Sequence, residues 1–163
     1  MNGLKQEKIK ETLNATRKRR KRQIPRVYQL KLQNLSKKDR KKLDRLFLEA
    51  KWLYNYVVAD IENRLTKDSW KLKEVEIKTP EGFEKRDINT LSSQMRQGII
   101  ERIKHSLKSL KKAKEKGIKA GKLSFKSETR SIPLKQYGIT YKISGDRNRV
   151  NYLRLKSQAS EGV

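Results

Sequence analysis

The 163-residue chain has no cysteine, a single histidine, three prolines and few aromatic residues, and it has no long apolar run. Each shortage closes off some chemistry. Without cysteine there are no disulfides, thiolate zinc sites or thiol nucleophiles. His105 leaves no His–His metal pair, and as a solitary base it would need a nucleophile and an orienting partner that the spacing does not reveal. It lies off any apolar stripe in a cationic stretch, so it reads as a solvated or phosphate-contacting side chain. Catalysis by this chain is therefore not expected, and no cofactor is implied. Apolar residues make up 34% of the sequence, below the usual share of about 45–50%, which predicts a thin core with disorder outside it. No segment approaches the roughly 18 apolar residues of a membrane span, and no apolar stretch follows the basic N-terminus as in a signal peptide. A soluble, cytoplasmic protein with no membrane partner is expected.

What the chain has is positive charge: 43 Lys and Arg against 18 Asp and Glu, a net +25. So large an excess on so small a body points to a polyanionic partner, nucleic acid first, with an anionic membrane surface as the competitor.

Residues 1–24 read as a basic arm, disordered or weakly helical, in which Leu4, Ile9 and Leu13 mark at most a narrow apolar face. Its centre, Arg17 to Arg22, is six cations in succession. Six adjacent cations repel one another, which suits a solvated tail or an arm on a phosphate backbone, and Arg19, Arg20 and Arg22 are candidate phosphate contacts. After Pro25, Tyr28, Leu30 and Leu32 alternate with polar residues and predict a half-buried strand. Ser36 with Asp39 resembles a capping box. From there Leu43, Leu46, Phe47, Ala50, Leu53, Tyr54, Val57, Val58, Ile61 and Leu65 step by three or four, predicting one amphipathic helix of about eight turns. Its polar face carries Lys37, Lys38, Arg40, Lys41, Lys42, Arg45 and Lys51. Trp52, Asn55 and Tyr56, beside the stripe, either broaden the core face or form a stacking surface.

Residues 66–89 hold Trp70, Leu72, Val75 and Ile77 in loose alternation and a turn at Thr79-Pro80-Glu81-Gly82, which fits a short hairpin or ordered loop. A second long helix is expected from Thr90 or Leu91 to Lys116, striped by Leu91, Met95, Ile99, Ile103, Leu107 and Leu110 and stopped by Gly117. Gly98 inside it is a costly choice unless another backbone or a ligand approaches closely there. Lys112, Lys116 and Lys126 belong to a cationic run from Arg102 onward. Beyond Gly121, Leu123 and Phe125 alternate, then Ile139, Tyr141 and Ile143, then Val150, Leu153 and Leu155, with Ser144 to Asn148 as a hairpin loop. Phe125 and Tyr137 are either barrel core or platforms for stacked bases.

Taken in order, these segments resemble the opening of the TnpB (OrfB) proteins of insertion sequences. The similarity lies in Ser36-x-x-Asp39-x-x-x-Leu43-x-x-x-Phe47 with Leu53-Tyr54-Asn55-Tyr56, in Ser93-Gln94-Met95 as an S-x-Q helix start, in Gly121-Lys122-Leu123-Ser124-Phe125-Lys126 as a G-x-P-x-F-K segment with Leu for Pro, and in Ser131-Ile132-x-x-x-Gln136 as an S-[F/I]-x-x-x-Q strand. It spans roughly residues 25–155. That family comprises transposon-encoded RNA-guided DNA nucleases related to type V CRISPR effectors. The resemblance implies an α+β fold: a small, OB-like β-barrel "wedge" interrupted by a helical recognition insertion of two long amphipathic helices. By position, 25–35 and 118–156 would form the discontinuous wedge, 36–117 the insertion, and 157–163 a tail. It further implies guide RNA and duplex DNA as partners, a nucleoid-associated location, Gln94 as the base-contacting residue with Thr90 one turn earlier, and Gln136 as a third polar contact. The family's RuvC-like nuclease half and Cys-x-x-Cys zinc ribbon are not in these residues, so cleavage is expected to need a separate or missing half. Alternatives are a free-standing DNA-binding regulator and a ribosomal-type RNA-binding protein.

Overall fold

A computed structural model describes residues 2–24, 27, 29, 31–146 and 149–155. The chain divides into two units, residues 1–34 and 35–163.

The first unit contains helix α1 (Asn2–Lys21). Its Leu4, Ile9 and Leu13 are exposed, as a stripe too narrow for burial leaves them. Lys18, Arg19, Arg20 and Lys21 fill its last turn, where the negative end of the helix dipole favours cations. The arm expected to be disordered or weakly helical is a helix over these residues. Of the strand expected after it, Pro25, Arg26, Tyr28 and Leu30 lie outside the described residues. Val27, Gln29, Lys31 and Leu32 are in no strand, and Val27 and Leu32 are exposed. Alternation supplies a strand with a face but not with a neighbour, and without a neighbour its ladder bonds are unmade.

The second unit opens with α2 (Lys37–Ala59), capped by Ser36, whose hydroxyl accepts from the Asp39 N–H at 3.1 Å and donates to the Asp39 carboxylate at 2.6 Å. The expected eight-turn helix is broken at Asp60. There the backbone leaves helical geometry, and the Asp60 side chain caps a short α3 (Ile61–Arg64) by accepting from Asn63. A 3-10 turn (Ser69–Lys71) leads into β1 (Glu74–Thr79) and β2 (Gly82–Asp87), an antiparallel hairpin in register from Glu74↔Asp87 to Thr79↔Gly82. The turn expected at residues 79–82 is there. Helix α4 (Ser93–Glu115) follows, capped by Ser92, two residues later than the pattern predicts.

One core joins these elements. Leu46, Ala50, Leu53 and Val57 of α2 meet Met95, Ile99, Ile100 and Ile103 of α4, with Val75 of β1, Ile88 and Leu91 closing the gap. Residues 118–135 then run along the outside of this pair without forming a strand. Leu123, Ile132 and Leu134 pack on the core, so the alternation expected of a strand is used for side-chain burial alone. Gly98 explains how the segment comes so close: a Cβ built there would lie 2.5 Å from the Pro133 ring. Arg102 donates to the Ser131 carbonyl at 3.1 Å and to its hydroxyl at 2.9 Å, and Lys135 pairs with Glu101.

Residues 136–140 form a turn in which Gln136 adopts a left-handed φ of 57° and its carbonyl accepts from Ile139 and Thr140. Gln136 therefore sits in a turn and not in the expected strand. The second hairpin joins β3 (Tyr141–Asp146) to β4 (Arg149–Leu155) with a register shift between Ser144 and Gly145. Pairing reaches further into the expected loop than its sequence suggests; Arg147 and Asn148 of that loop, and the tail 157–163, lie outside the described residues. The fold is α+β, with four helices and two separate two-stranded antiparallel sheets. Among the described residues no closed barrel is seen: Leu123 and Phe125 lie in no strand, and the two hairpins belong to separate sheets.

Candidate nucleic-acid interface

Two of the sequence motifs meet in space. Asn55, in Leu53-Tyr54-Asn55-Tyr56, donates its amide N–H to the Lys126 carbonyl at 2.9 Å and accepts from the Lys126 N–H at 2.8 Å. The side-chain amide stands in for a neighbouring strand, satisfying both backbone groups of Lys126 that no ladder reaches. The Lys126 ammonium lies 4.1 Å from the centre of the Tyr54 ring, within cation–π range. Burial raises the Tyr54 pKa above the ordinary tyrosine value, so the phenol keeps its proton. Arg45 covers Trp52 at 5.1 Å and Arg64 covers Tyr56 at 4.1 Å. Trp52, Tyr54 and Tyr56 all pack partly on the core. These aromatics thus broaden the core face, and their rings also carry cations.

The polar residues singled out for base contact have different surroundings. Thr90 is turned inward: its N–H and its hydroxyl both donate to Glu49 at 2.8 Å. Glu49 is 1% exposed and also accepts from Leu91 N–H at 3.1 Å and Arg45 Nε at 2.6 Å. This carboxylate ties the start of α4 to the middle of α2. Sequence reasoning missed it, although the signal was present: position 49 falls on the buried stripe between Leu46 and Leu53, and an acid there needs partners. Gln94 is the second residue of α4 and half-buried, with no hydrogen bond to its side chain among the described residues. Gln136 is exposed on its turn. Phe125 is 65% and Tyr137 58% exposed, so neither is core; the Tyr137 ring stands edge-on to Tyr141 and its hydroxyl donates to the Ile143 carbonyl.

The cations divide by the end of the helix they occupy. Arg19 and Arg20 close α1, with Arg22 just beyond it; Lys112 lies in the last turn of α4 and Lys116 caps it. There the dipole gives them a structural reason to be positive. Lys38 and Lys41, with Lys37, Arg40 and Lys42, are exposed in the first two turns of α2, where the dipole opposes them. The hairpin side is different again. Residues 60–87 hold eight acids and seven bases, so the whole excess of +25 lies outside them. An open groove of about 570 Å³ there, between Tyr56, Leu72 and Val75, is rimmed by both Glu74 and Glu76 and by Lys73 and Lys85, which favours neither sign of ligand.

Among the described residues, no group of three or more His, Cys, Asp or Glu side chains is placed to hold a metal ion, and no helix is long and apolar enough to cross a membrane. No protein-family profile matches the chain, and neither a curated protein nor a solved structure does.

Proposed function

We propose that this chain binds nucleic acid through its cationic helices, as the non-catalytic N-terminal part of a TnpB-like RNA-guided DNA endonuclease. The observation that carries the binding is the cluster Lys37, Lys38, Arg40, Lys41 and Lys42 at the N-terminal end of α2. Cations there weaken the free helix, whereas the same residues at its other end would strengthen it. Charge placed against the stability of its own element is explained by an external anion. The TnpB-like assignment is supported by the contact of Tyr54 and Asn55 with Lys126, since the resemblance rests on those two motifs separately.

In this reading α2 and α4 form the recognition insertion, and β3–β4 belongs to a wedge barrel that further strands complete. Phosphates of a guide RNA scaffold and of the DNA lie on the lysines and arginines, while Gln94 reads a base edge beside the target. Residues 60–92 between α2 and α4 include α3 and a whole hairpin, far more than the 3–4-residue turn of a helix-turn-helix repressor.

Fluorescence anisotropy of the full chain with a structured RNA and with duplex DNA, over a salt series, tests the proposal. RNA binding that persists at salt abolishing DNA binding is the expected result. One steep common slope for both would reduce the chain to a nonselective polycation and sink the recognition reading. Selection from a randomised duplex pool then tests Gln94: wild type enriches a short motif, and Gln94→Ala loses it without losing RNA affinity. Enrichment of no motif, with tight RNA binding retained, favours the ribosomal-type alternative.

A further inference from the structure

A second, much smaller cavity of about 20 Å³ opens beside the Asn55–Lys126 contact. It is lined by two apolar residues, Ala50 and Ile99, by Tyr54, Thr129 and Ser131, and by Arg102 and Lys126. The space is that of one oxygen-sized atom. Thr129, one of the lining residues, has its hydroxyl buried without a hydrogen-bond partner among the described residues, and a buried polar group in that condition costs free energy until something pairs with it.

The polar side chains of the lining residues are all able to donate. Tyr54 keeps its phenolic proton because burial holds its pKa up. Ser131 Oγ accepts from Arg102 Nη1, which leaves its own proton to give away. Thr129 has a free proton, and Arg102 and Lys126 bring positive charge. No acid lines the cavity, and Glu128 nearby is engaged by Arg130 at 2.6 Å. A set of donors under two cations fits an atom that only accepts and carries negative charge.

We infer that this cavity seats one nonbridging oxygen of a nucleic-acid backbone phosphate, with the Thr129 hydroxyl donating to it and Arg102 and Lys126 flanking the phosphate. The inference rests on the nucleic-acid reading above and adds a site to it: the phosphate is held by a fitted pocket and not only by mobile surface lysines. The segment 118–135 has a purpose in these terms, since Gly98, Asn55 and Arg102 fix it where Thr129 meets α2 and α4.

The test uses the full chain and the structured RNA of the salt series. Thr129→Val keeps the shape and removes the unpaired hydroxyl, so its thermal midpoint is unchanged or higher, while RNA affinity falls about tenfold. Its salt slope equals that of wild type, because the lost donor is neutral; Thr129→Ser restores most of the affinity. Lys126→Gln, by contrast, lowers the slope by about one. Wild-type affinity in Thr129→Val would overturn the proposal and leave the cavity to a water molecule. If the wild-type chain binds neither RNA nor duplex, the functional reading fails, and inorganic phosphate then decides the seat separately. A saturable shift of the Thr129 amide resonance at constant ionic strength, absent in Thr129→Val, keeps it; no shift ends it.

Discussion

Gly98 is a residue whose cost and use can be separated. Inside α4 a glycine is disfavoured by about 1 kcal/mol relative to alanine, yet its missing Cβ is what admits the Pro133 ring. Gly98→Ala gains the helix preference and loses the fit, because a contact of 2.5 Å to a rigid ring must be relieved by moving residues 131–135. The net effect expected is a loss of about 1–2 kcal/mol in urea unfolding. Pro133→Ala in the same chain should recover most of it, a coupling that a double-mutant cycle measures. The sequence announced that something approaches Gly98, because glycine in an apolar helical stripe is otherwise unfavourable. It could not say what approaches, since Pro133 is 35 residues away and joins no periodic pattern. Glu49 was equally readable as an acid on a buried stripe, but Thr129 was not: nothing in its neighbours marks its hydroxyl as unpaired.

At the scale of elements, the two long helices and both hairpins follow from spacing, and the departures come where pattern ignores partners. The break at Asp60 is one, because Ile61 and Leu65 keep the helical period while the Asp60 side chain takes the Asn63 N–H and side-chain amide. Hydrogen bonds from the Asn63 side chain and then its backbone N–H lower the Asp60 pKa below the ordinary carboxylate value. The stabilisation is therefore present above the unfolded value of about 3.9 and is lost as pH falls through the lower folded value. Hydrogen exchange at Asn63 should accelerate in that acid window, and Asp60→Asn should abolish the dependence. The start of α2 gives a prediction of opposite character. A charge at a helix terminus is worth about 0.3–1 kcal/mol at low ionic strength. Lys38→Gln with Lys41→Gln should consequently raise the melting temperature of the free chain while lowering its salt slope for nucleic acid by roughly one for each lysine removed. A variant both less stable and unchanged in binding would contradict the assignment of these cations to an external anion. The expected strands at Leu123–Phe125 and Ser131–Gln136 failed for the complementary reason: alternation reports a buried face, and here Asn55 and the flank of α4 supply what a strand neighbour would.

For the molecule as a whole, composition gave a cationic chain and the resemblance implied an α+β fold, but neither said where the charge is missing. Residues 60–87 are close to neutral, and β1–β2 presents Phe83 70% exposed beside its turn. Lys78→Gln with Lys85→Gln should leave association rates with RNA within about twofold of wild type, whereas the Lys38 and Lys41 pair should slow them measurably in stopped flow at low salt. Equal slowing by both pairs would mean that only total charge matters. Under the nucleic-acid reading proposed above, the near-neutral hairpin acts as an electrical counterweight. A uniformly charged body is pulled toward a polyanion but not turned by it, while a body with a region of almost no net charge feels a torque before it touches. In the proposed nucleic-acid reading, orientation during the encounter is therefore set by where the cations are withheld as much as by where they stand.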